Sequence, residues 1–432
     1  MPRNVVTFPS RRSSRGGGLR LALSLCVGLA SANAAHAQVV SQRGFVDGQG
    51  TGFVEEAPND ATQAIGDLLA REEVFVKPAA WIQFAAGLDF RANSHDQVAD
   101  EWAVDYRDRT VLRPRLSLRR LSATITRGPF TVDLGKQFIR WGAADIVNPT
   151  DRFAPQDFLN VVNPEFLAIT AARGVVQIGG HAFEAVWAPR LTPSRLPLVD
   201  QRWTVVPAEA QGIPLTQSAV YPSGAQTGVR WRHIADRLEY SLSFFDGFNN
   251  LPDVVPRVQL SPQPPFLPSA IEVTSVYPSI RTYGGDMALP LRRVTVKAEA
   301  AYVSSSSEAT AEYGLYVLQL EQQSGEWLFI GGYAGETVTR QGSTASFSPE
   351  RGVSRSILGR VSRNVGVNRT FAVEGAVHQN GHGAYGKVQY SQAYGQHWRA
   401  TATAVVLGGR SDDFFGQYRH NSHVVLGARY SF

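Results

Sequence analysis

Read from Pro78 onward, the chain alternates with a period of two. Ala80, Ile82, Phe84, Ala86, Leu88 and Phe90 are apolar, and the residues between them are mostly small or polar. Leu112, Pro114, Leu116 and Leu118 alternate with Arg113, Arg115, Ser117 and Arg119. Leu238, Tyr240, Leu242 and Phe244 alternate with Glu239, Ser241 and Ser243, and the same two-faced pattern recurs around Val294–Tyr302, Phe371–Val377 and Trp398–Val406. Successive side chains of a strand point to opposite faces, so each segment predicts a strand with one apolar face. The segments run to about ten residues, the length of a tilted strand that crosses a bilayer, whereas strands of soluble sandwiches average about five or six.

The links between segments carry a second pattern. Short ones fall at Arg127-Gly128-Pro129, Gly179-Gly180, Asp236-Arg237, Pro290–Arg293, Ser324-Gly325, Asn364–Asn368 and Gly395-Gln396. Between them lie mostly long ones: Asn93–Asp108, Gly142–Leu167, Pro189–Gly224, Gly247–Glu272, Ser304–Ala309, Val338–Gly352 and Gly408–Asn421, with Gln379–Gly383 a short exception. Alternation of turns and loops is how an up-and-down barrel reads, with turns at one rim and loops at the other. Two Pro-rich loops lie outside any central strand, because Pro lacks a ladder donor. The count predicts an all-β, antiparallel transmembrane barrel of about 16 strands, within a range of about 14–18.

Ahead of the barrel, Met1–Ala37 predicts a cleaved signal peptide: an Arg-rich start, the apolar stretch Leu21–Leu29, and Ala35-His36-Ala37 before the cut. Residues 38–77 predict a short periplasmic segment, with one amphipathic helix over Asp60–Glu73 from the spacing of Ala64, Ile65, Leu68 and Leu69. The barrel then takes residues 78–432.

Charge and composition narrow the class. The chain has 42 Lys+Arg against 37 Asp+Glu, but the leader holds five Arg and no acid, so the remainder balances at 37 against 37. Nucleic-acid binding, which needs a basic patch that persists in the folded domain, loses its support. The single Cys, Cys26, lies in the leader, which excludes disulfides, thiolate metal sites and a Cys nucleophile from the remainder. No run of 18 apolar residues follows the leader.

Aromatics cluster just after the short turns. Phe130, Tyr240, Trp327, Phe371 and Trp398 predict a girdle at the periplasmic interface. The last strand, His423–Phe432, presents Val424, Leu426, Ala428, Tyr430 and Phe432 on one apolar face. In this it resembles the terminal strand of bacterial outer-membrane β-barrels, whose closing aromatic the barrel-assembly machinery reads. The resemblance implies an outer-membrane barrel with porin-like architecture over Pro78–Phe432. It gives Tyr430 and Phe432 the part of assembly signal, and membrane lipid, lipopolysaccharide and the assembly machinery as partners. The string Leu134-Gly135-Lys136-Gln137-Phe138-Ile139-Arg140-Trp141-Gly142, followed by a loop with Asn148-Pro149, is similar to one in several outer-membrane barrel families. Parity slips in it, because a face shared with Val132 and Leu134 would put Lys136 in lipid. A bulge near Gly135 is the expected remedy.

The face opposite the apolar one predicts the lumen. Its basic residues are Arg91, Arg113, Arg115, Arg119, Arg230, Arg232, Lys297, Arg360, Lys387, Arg399 and Arg429, and its acids are Asp89, Asp133, Glu239, Asp286, Glu299 and Glu374. An excess of basic side chains biases a pore toward anions. Cross-strand pairing of these charges is the alternative. Arg113, Arg115 and Arg119 have few interleaved acids, so they are expected to be the least paired. Gly142–Leu167, with Asp145, Asp151 and Asp157, predicts a constriction loop, against the plain alternative of a solvated loop. The spacing of these acids fits no EF-hand, and no metal or cofactor is expected.

Chemistry finds little support. His420-Asn421-Ser422 places a His and a Ser on one strand face without a third group, and His378-Gln379-Asn380-Gly381-His382 reads first as an Asn-Gly turn. Phosphate-loop, nucleophile-elbow and His-Glu-x-x-His strings are missing. The expectation is a non-enzymatic porin-like channel for small hydrophilic solutes. The alternatives are a transporter or exporter specific for a polysaccharide or hydrophobic compound, and a plugged structural or adhesion barrel.

Overall fold

A computed structural model describes residues 39–432, besides the backbone of Val6–Thr7. The expected signal peptide, with Cys26 and the cut after Ala37, otherwise lies outside the described residues. The fold is a closed antiparallel barrel of 18 strands, two more than the alternation predicts. We number them β1 Val40–Phe53, β2 Ala64–Ala79, β3 Ile82–Asn93, β4 Leu116–Arg127, β5 Phe130–Gln137 and β6 Ile169–Ile178. Next come β7 His181–Ala188, β8 Gln226–Ile234, β9 Glu239–Phe248, β10 Ser279–Pro290, β11 Thr295–Ser305 and β12 Glu312–Ser324. The last six are β13 Trp327–Arg340, β14 Ser356–Val365, β15 Arg369–His378, β16 Gly383–Tyr394, β17 Trp398–Gly409 and β18 His423–Ser431. β1 pairs with β18, Phe45 opposite Ser431 and Phe53 opposite His423, and that seam closes the ring.

The two extra strands correct the reading of residues 38–77. Among the described residues, strands take the place of the expected periplasmic segment and of its helix over Asp60–Glu73: β1 and β2 form a hairpin of the ring, paired from Val40–Val76 to Gly52–Ala64. The physical reason is glycine. The outer face of β1 is built from Gly44, Val46, Gly48, Gly50 and Gly52, so it carries almost no apolar signal, while Phe45, Asp47 and Phe53 turn inward. In β2 the apolar residues straddle both faces. Leu68 stays exposed outside and Ile65 is buried inside, a split that spacing alone reads as a helix.

Elsewhere the alternation places side chains as expected. Leu88, Leu121, Leu242, Val373, Leu426 and Tyr430 are exposed on the outer wall, while Asp89, Asp286, Glu299 and His423 are buried within. A β-bulge pairs Gly87 with Arg120 but Leu88 with Leu118, so parity in β4 flips there and Leu121 faces outward. Near Gly135 the expected bulge is absent: the ladders to β4 and β6 keep their register. Gly135 instead takes φ of 109°, in the left-handed region, with the Leu121 carbonyl 2.3 Å from where a Cβ would stand. That local turn sends Lys136 inward, where it pairs with Asp108.

The girdle aromatics Phe130, Trp327, Phe371 and Trp398 stand exposed beside the tight turns. The Pro-rich loops contribute no strand to the barrel ladder, as expected. Their strands Leu215–Val220, Asp253–Leu260 and Pro268–Val276 form a small separate sheet at the loop rim.

Candidate functional site

The segment after β5, Phe138–Ala168, does not rise from the rim as a solvated loop. It folds into the barrel and touches walls on both sides. Its entry is the string singled out by sequence. The Gln137 side-chain amide donates to the Ala171 carbonyl at 3.0 Å, fixing the end of β5 to β6. Trp141 is buried, stacks edge-on to Phe153 at 5.3 Å, and donates its indole N–H to Glu184 at 3.0 Å. Phe153 in turn meets Phe245 of β9 at 5.0 Å, inside an apolar cluster with Ile169, Val186, Ile280, Val303 and Leu315.

Gly142 follows with φ of 97°, and a Cβ there would stand 2.6 Å from the carboxylate of Glu299. Only glycine lets the loop approach so closely. Glu299, on β11, is the seat of the loop. It accepts from the backbone N–H of Ala143 at 3.1 Å, Ala144 at 3.2 Å and Thr150 at 2.9 Å, and from the Thr150 hydroxyl at 2.8 Å. Beside it Lys297 meets Asp145 at 2.7 Å, and the Asp145 N–H donates to Gln319 at 3.0 Å. Burial pushes the Asp145 carboxyl up, but hydrogen bonds from Lys297 and Gln319 outweigh it and hold it below the usual range.

Across the lumen the same loop grips β2, β3 and the approach to β4. Asp157 binds Arg113 at 2.9 Å and Arg195 at 2.5 Å. Burial would raise this carboxyl, yet the two guanidiniums hold it well below its ordinary value. Glu165 lies between Arg91 at 2.6 Å and Arg71 at 3.4 Å, and despite burial those cations bring it down to about 2. Arg71 also holds Asp89 at 2.7 Å. Asp151 is the opposite case. Burial pushes it up to about 7, against the Trp141 N–H and Arg140, 3.0 Å away.

Nearly all the sequence-predicted lumenal charges face inward with partners. Arg230 meets Asp286 at 3.1 Å, Asp133 meets Arg173 at 3.2 Å, Arg232 meets Glu239 at 3.4 Å, Lys387 meets Glu374 at 3.4 Å, and the Arg429 Nε meets Asp47 at 2.9 Å. The expectation that Arg113, Arg115 and Arg119 stay unpaired is corrected. Arg113 holds Asp157, Arg115 holds Asp100 at 2.7 Å, and Arg119 lies 3.9 Å from Asp89 with its guanidinium over Phe138. Asp157 and Asp100 come from loops, so neighbours along the strand could not reveal them. Among the described residues Arg360 and Arg399 make no ion pair, and Arg399 donates to the Ser391 hydroxyl at 3.0 Å.

Reasoning from sequence missed Arg71, Glu165 and Arg195. Arg71 was hidden by the helix reading of its strand, and the other two by their place in loops. It also missed that the inner wall is partly apolar. Val317, Leu358, Ala376, Val405 and Leu407 point inward from β12, β14, β15 and β17, and bury Val147, Trp203, Phe415 and Tyr418 from the loops. Between this wall and the inward loop remains a cavity of about 430 Å³. The His-Ser pair does not assemble: His420 meets Glu55 at 2.7 Å, while Ser422 bonds the Leu407 backbone. Nor do these two share a strand face, because residues 416–421 form a 3-10 turn. His378 accompanies Asp413 and the Gly352 carbonyl, and Gly381 makes the expected turn with φ of 70°.

A closed antiparallel ring with an apolar outer wall and a loop folded into a charged lumen is the architecture of outer-membrane porins. No known family profile matches the chain, and neither does any curated protein sequence. Solved structures do match. A BenF-like porin from Pseudomonas fluorescens Pf-5 superposes with a TM-score of 0.51 at 10% identity, over 91% of this chain and 97% of that one. Acinetobacter baumannii OccAB4 gives 0.52 at 10% identity, over 91% and 99%. The outer membrane protein OpdK of Pseudomonas aeruginosa gives 0.50 at 11% identity, over 91% and 99%. At such identities the likeness is one of fold.

Proposed function

We propose that this protein is a porin-like channel of the bacterial outer membrane. Small hydrophilic solutes diffuse through it, and Phe138–Ala168 narrows the path. The observation that carries this reading is the loop seated on Glu299 at one wall and held through its Asp157 to Arg113 at the other, within a closed ring whose outer wall is apolar. A charge on the lipid face at mid-membrane costs about 2–4 kcal/mol, so the inward setting of the charges fits a bilayer outside and water within. Met1–Ala37 serves export and is removed, the assembly machinery reads Tyr430 and Phe432, and membrane lipid and lipopolysaccharide surround the wall. The reaction class is transport without chemistry, and the reading calls for no cofactor or metal.

A modest anion preference belongs to the proposal, resting on Arg360 and Arg399 rather than on the β4 arginines. Reversal potentials of the purified protein in planar bilayers under a salt gradient test both parts. Discrete conductance with a preference for chloride that weakens in high salt is expected, as the Debye length falls from about 10 Å at 0.1 M to about 3 Å at 1 M. A cation-selective pore would show that Asp145, Asp151 or Glu374 governs the path. A barrel without conductance would favour the plugged structural reading, which the ion pairs and apolar cluster inside the ring support.

A further inference from the structure

The cavity between the inward loop and β13–β17 has a composition that a pore for freely hydrated solutes does not need. Its size, about 430 Å³, lies within the ~300–1,000 Å³ of ligand sites. Phe158, Val162, Trp203, Leu358, Phe414 and Tyr418 line much of it. Such surface facing water is unfavourable by roughly 25 cal/mol per Å² of apolar area, which a ligand with an apolar body would recover.

The ionisable side chains on the lining each have a partner of the opposite kind within reach, with one exception. Asp145 is matched by Lys297, Glu374 by Lys387, Asp151 by Arg140 and Glu350 by Arg152. Arg360 lines the same cavity and, among the described residues, has no carboxylate within ion-pair distance. It stands opposite Glu374 in the β14–β15 ladder, but that carboxylate is occupied by the Tyr385 hydroxyl at 2.8 Å as well as by Lys387. The site therefore presents an apolar, aromatic wall and one guanidinium with no carboxylate partner among the described residues, whose planar fork suits a carboxylate or sulfonate.

From this we infer that the cavity is a binding station for small monoanions with an apolar, flat body, anchored by Arg360. The inference rests on the channel reading and narrows its solutes. Naphthoate is the probe, with acetate as the same charge without the body and trimethylanilinium as a similar body with the opposite charge. Equilibrium dialysis against the full-length protein in detergent measures binding, and interruption of single-channel current in bilayers measures occupancy of the path.

Naphthoate is expected to bind and to interrupt the current at roughly tenfold lower concentration than either comparison ion, about 1.4 kcal/mol of discrimination. Arg360→Gln should remove that tenfold advantage and Arg360→Lys should restore part of it. Val162→Asn should weaken naphthoate without strengthening acetate. Each variant is first shown to migrate as a folded barrel on an unboiled gel. Equal binding of naphthoate and acetate by a conducting protein overturns the inference and leaves the channel standing. Trimethylanilinium binding as well as naphthoate overturns the role of Arg360. A protein that binds naphthoate but passes no current keeps the station and overturns the channel.

Discussion

The inner wall of this barrel is two surfaces, and they hold the same loop by different physics. On the side of β2–β4 the loop is held by charge: Asp157 and Glu165 lie among Arg71, Arg91, Arg113 and Arg195. On the side of β12–β17 the wall offers Val317, Leu358, Ala376 and Leu407, and the loop answers with Ala144 and Val147. The charged side fixes positions through directional bonds between groups that are costly to leave alone. The apolar side fills space and leaves a cavity where filling stops. A lumen read as uniformly polar would have neither the grip nor the cavity.

Removing a counter-charge should show the contrast most strongly. Asp157→Asn leaves Arg113 and Arg195 buried without a carboxylate, which costs about 3–5 kcal/mol. On semi-native gels the folded band should convert at a markedly lower temperature, and an unchanged conversion temperature would mean that water already compensates these arginines. Leu358→Ala, on the apolar side, should cost about 2–4 kcal/mol in the same assay, toward the lower end because the adjoining cavity lets water in. A loss as large as that of Asp157→Asn would erase the distinction between the two sides.

Glu299→Ala tests the seat between them. Hydrogen bonds to a charged group contribute about 1.5–3 kcal/mol each, so losing four should free the loop while leaving the ring closed. Larger and noisier conductance is expected with gel mobility unchanged, and wild-type conductance would show that the two walls hold the loop without Glu299.

The smallest effect concerns acidity. With Asp151 raised to about 7, the folded loop binds a proton that the released loop gives up near 4. Seating is therefore most favourable below about pH 4 and weakens as the pH rises toward 7. Arg140 on the same loop and Glu350 on the neighbouring turn are the charges that face Asp151. Current noise should grow between about pH 4 and pH 7, and Asp151→Asn should flatten that trend. A wild-type profile as flat as the variant's would show that Arg140 keeps Asp151 ionised throughout.

Legibility in the sequence followed the distribution of apolar side chains. Strands β3–β18 were readable because a lipid-facing Leu, Val, Phe or Tyr alternates with something smaller or polar, as in Leu426, Ala428 and Tyr430. β1 was not, because glycine on its outer face gives no contrast. β2 was not, because Ile65 and Leu68 belong to opposite faces. The inward face of each charged strand residue could be read from parity, but the partners of Arg113, Arg91 and Arg115 could not, since Asp157, Glu165 and Asp100 arrive from loops. The string around Trp141 drew notice as a pattern without a purpose. Its purpose is mechanical: Gly135, Gln137, Trp141 and Gly142 turn the chain inward and fasten it.

The seam between β1 and β18 has a consequence for the order of events in making this protein. Arg429 and Asp47, which meet across it, are 382 residues apart in the chain. Closing a loop of that length forfeits about 5 kcal/mol of chain entropy beyond a constant term, and none of that loss is recovered until the last strand has left the ribosome and reached the membrane. Every earlier intermediate is an open sheet with two bare edges and an apolar face, the kind of surface on which chains aggregate. Until the strand that carries Phe432 joins the ladder beside Val40–Phe53, those bare edges are where the unfinished ring is open to the wrong partner.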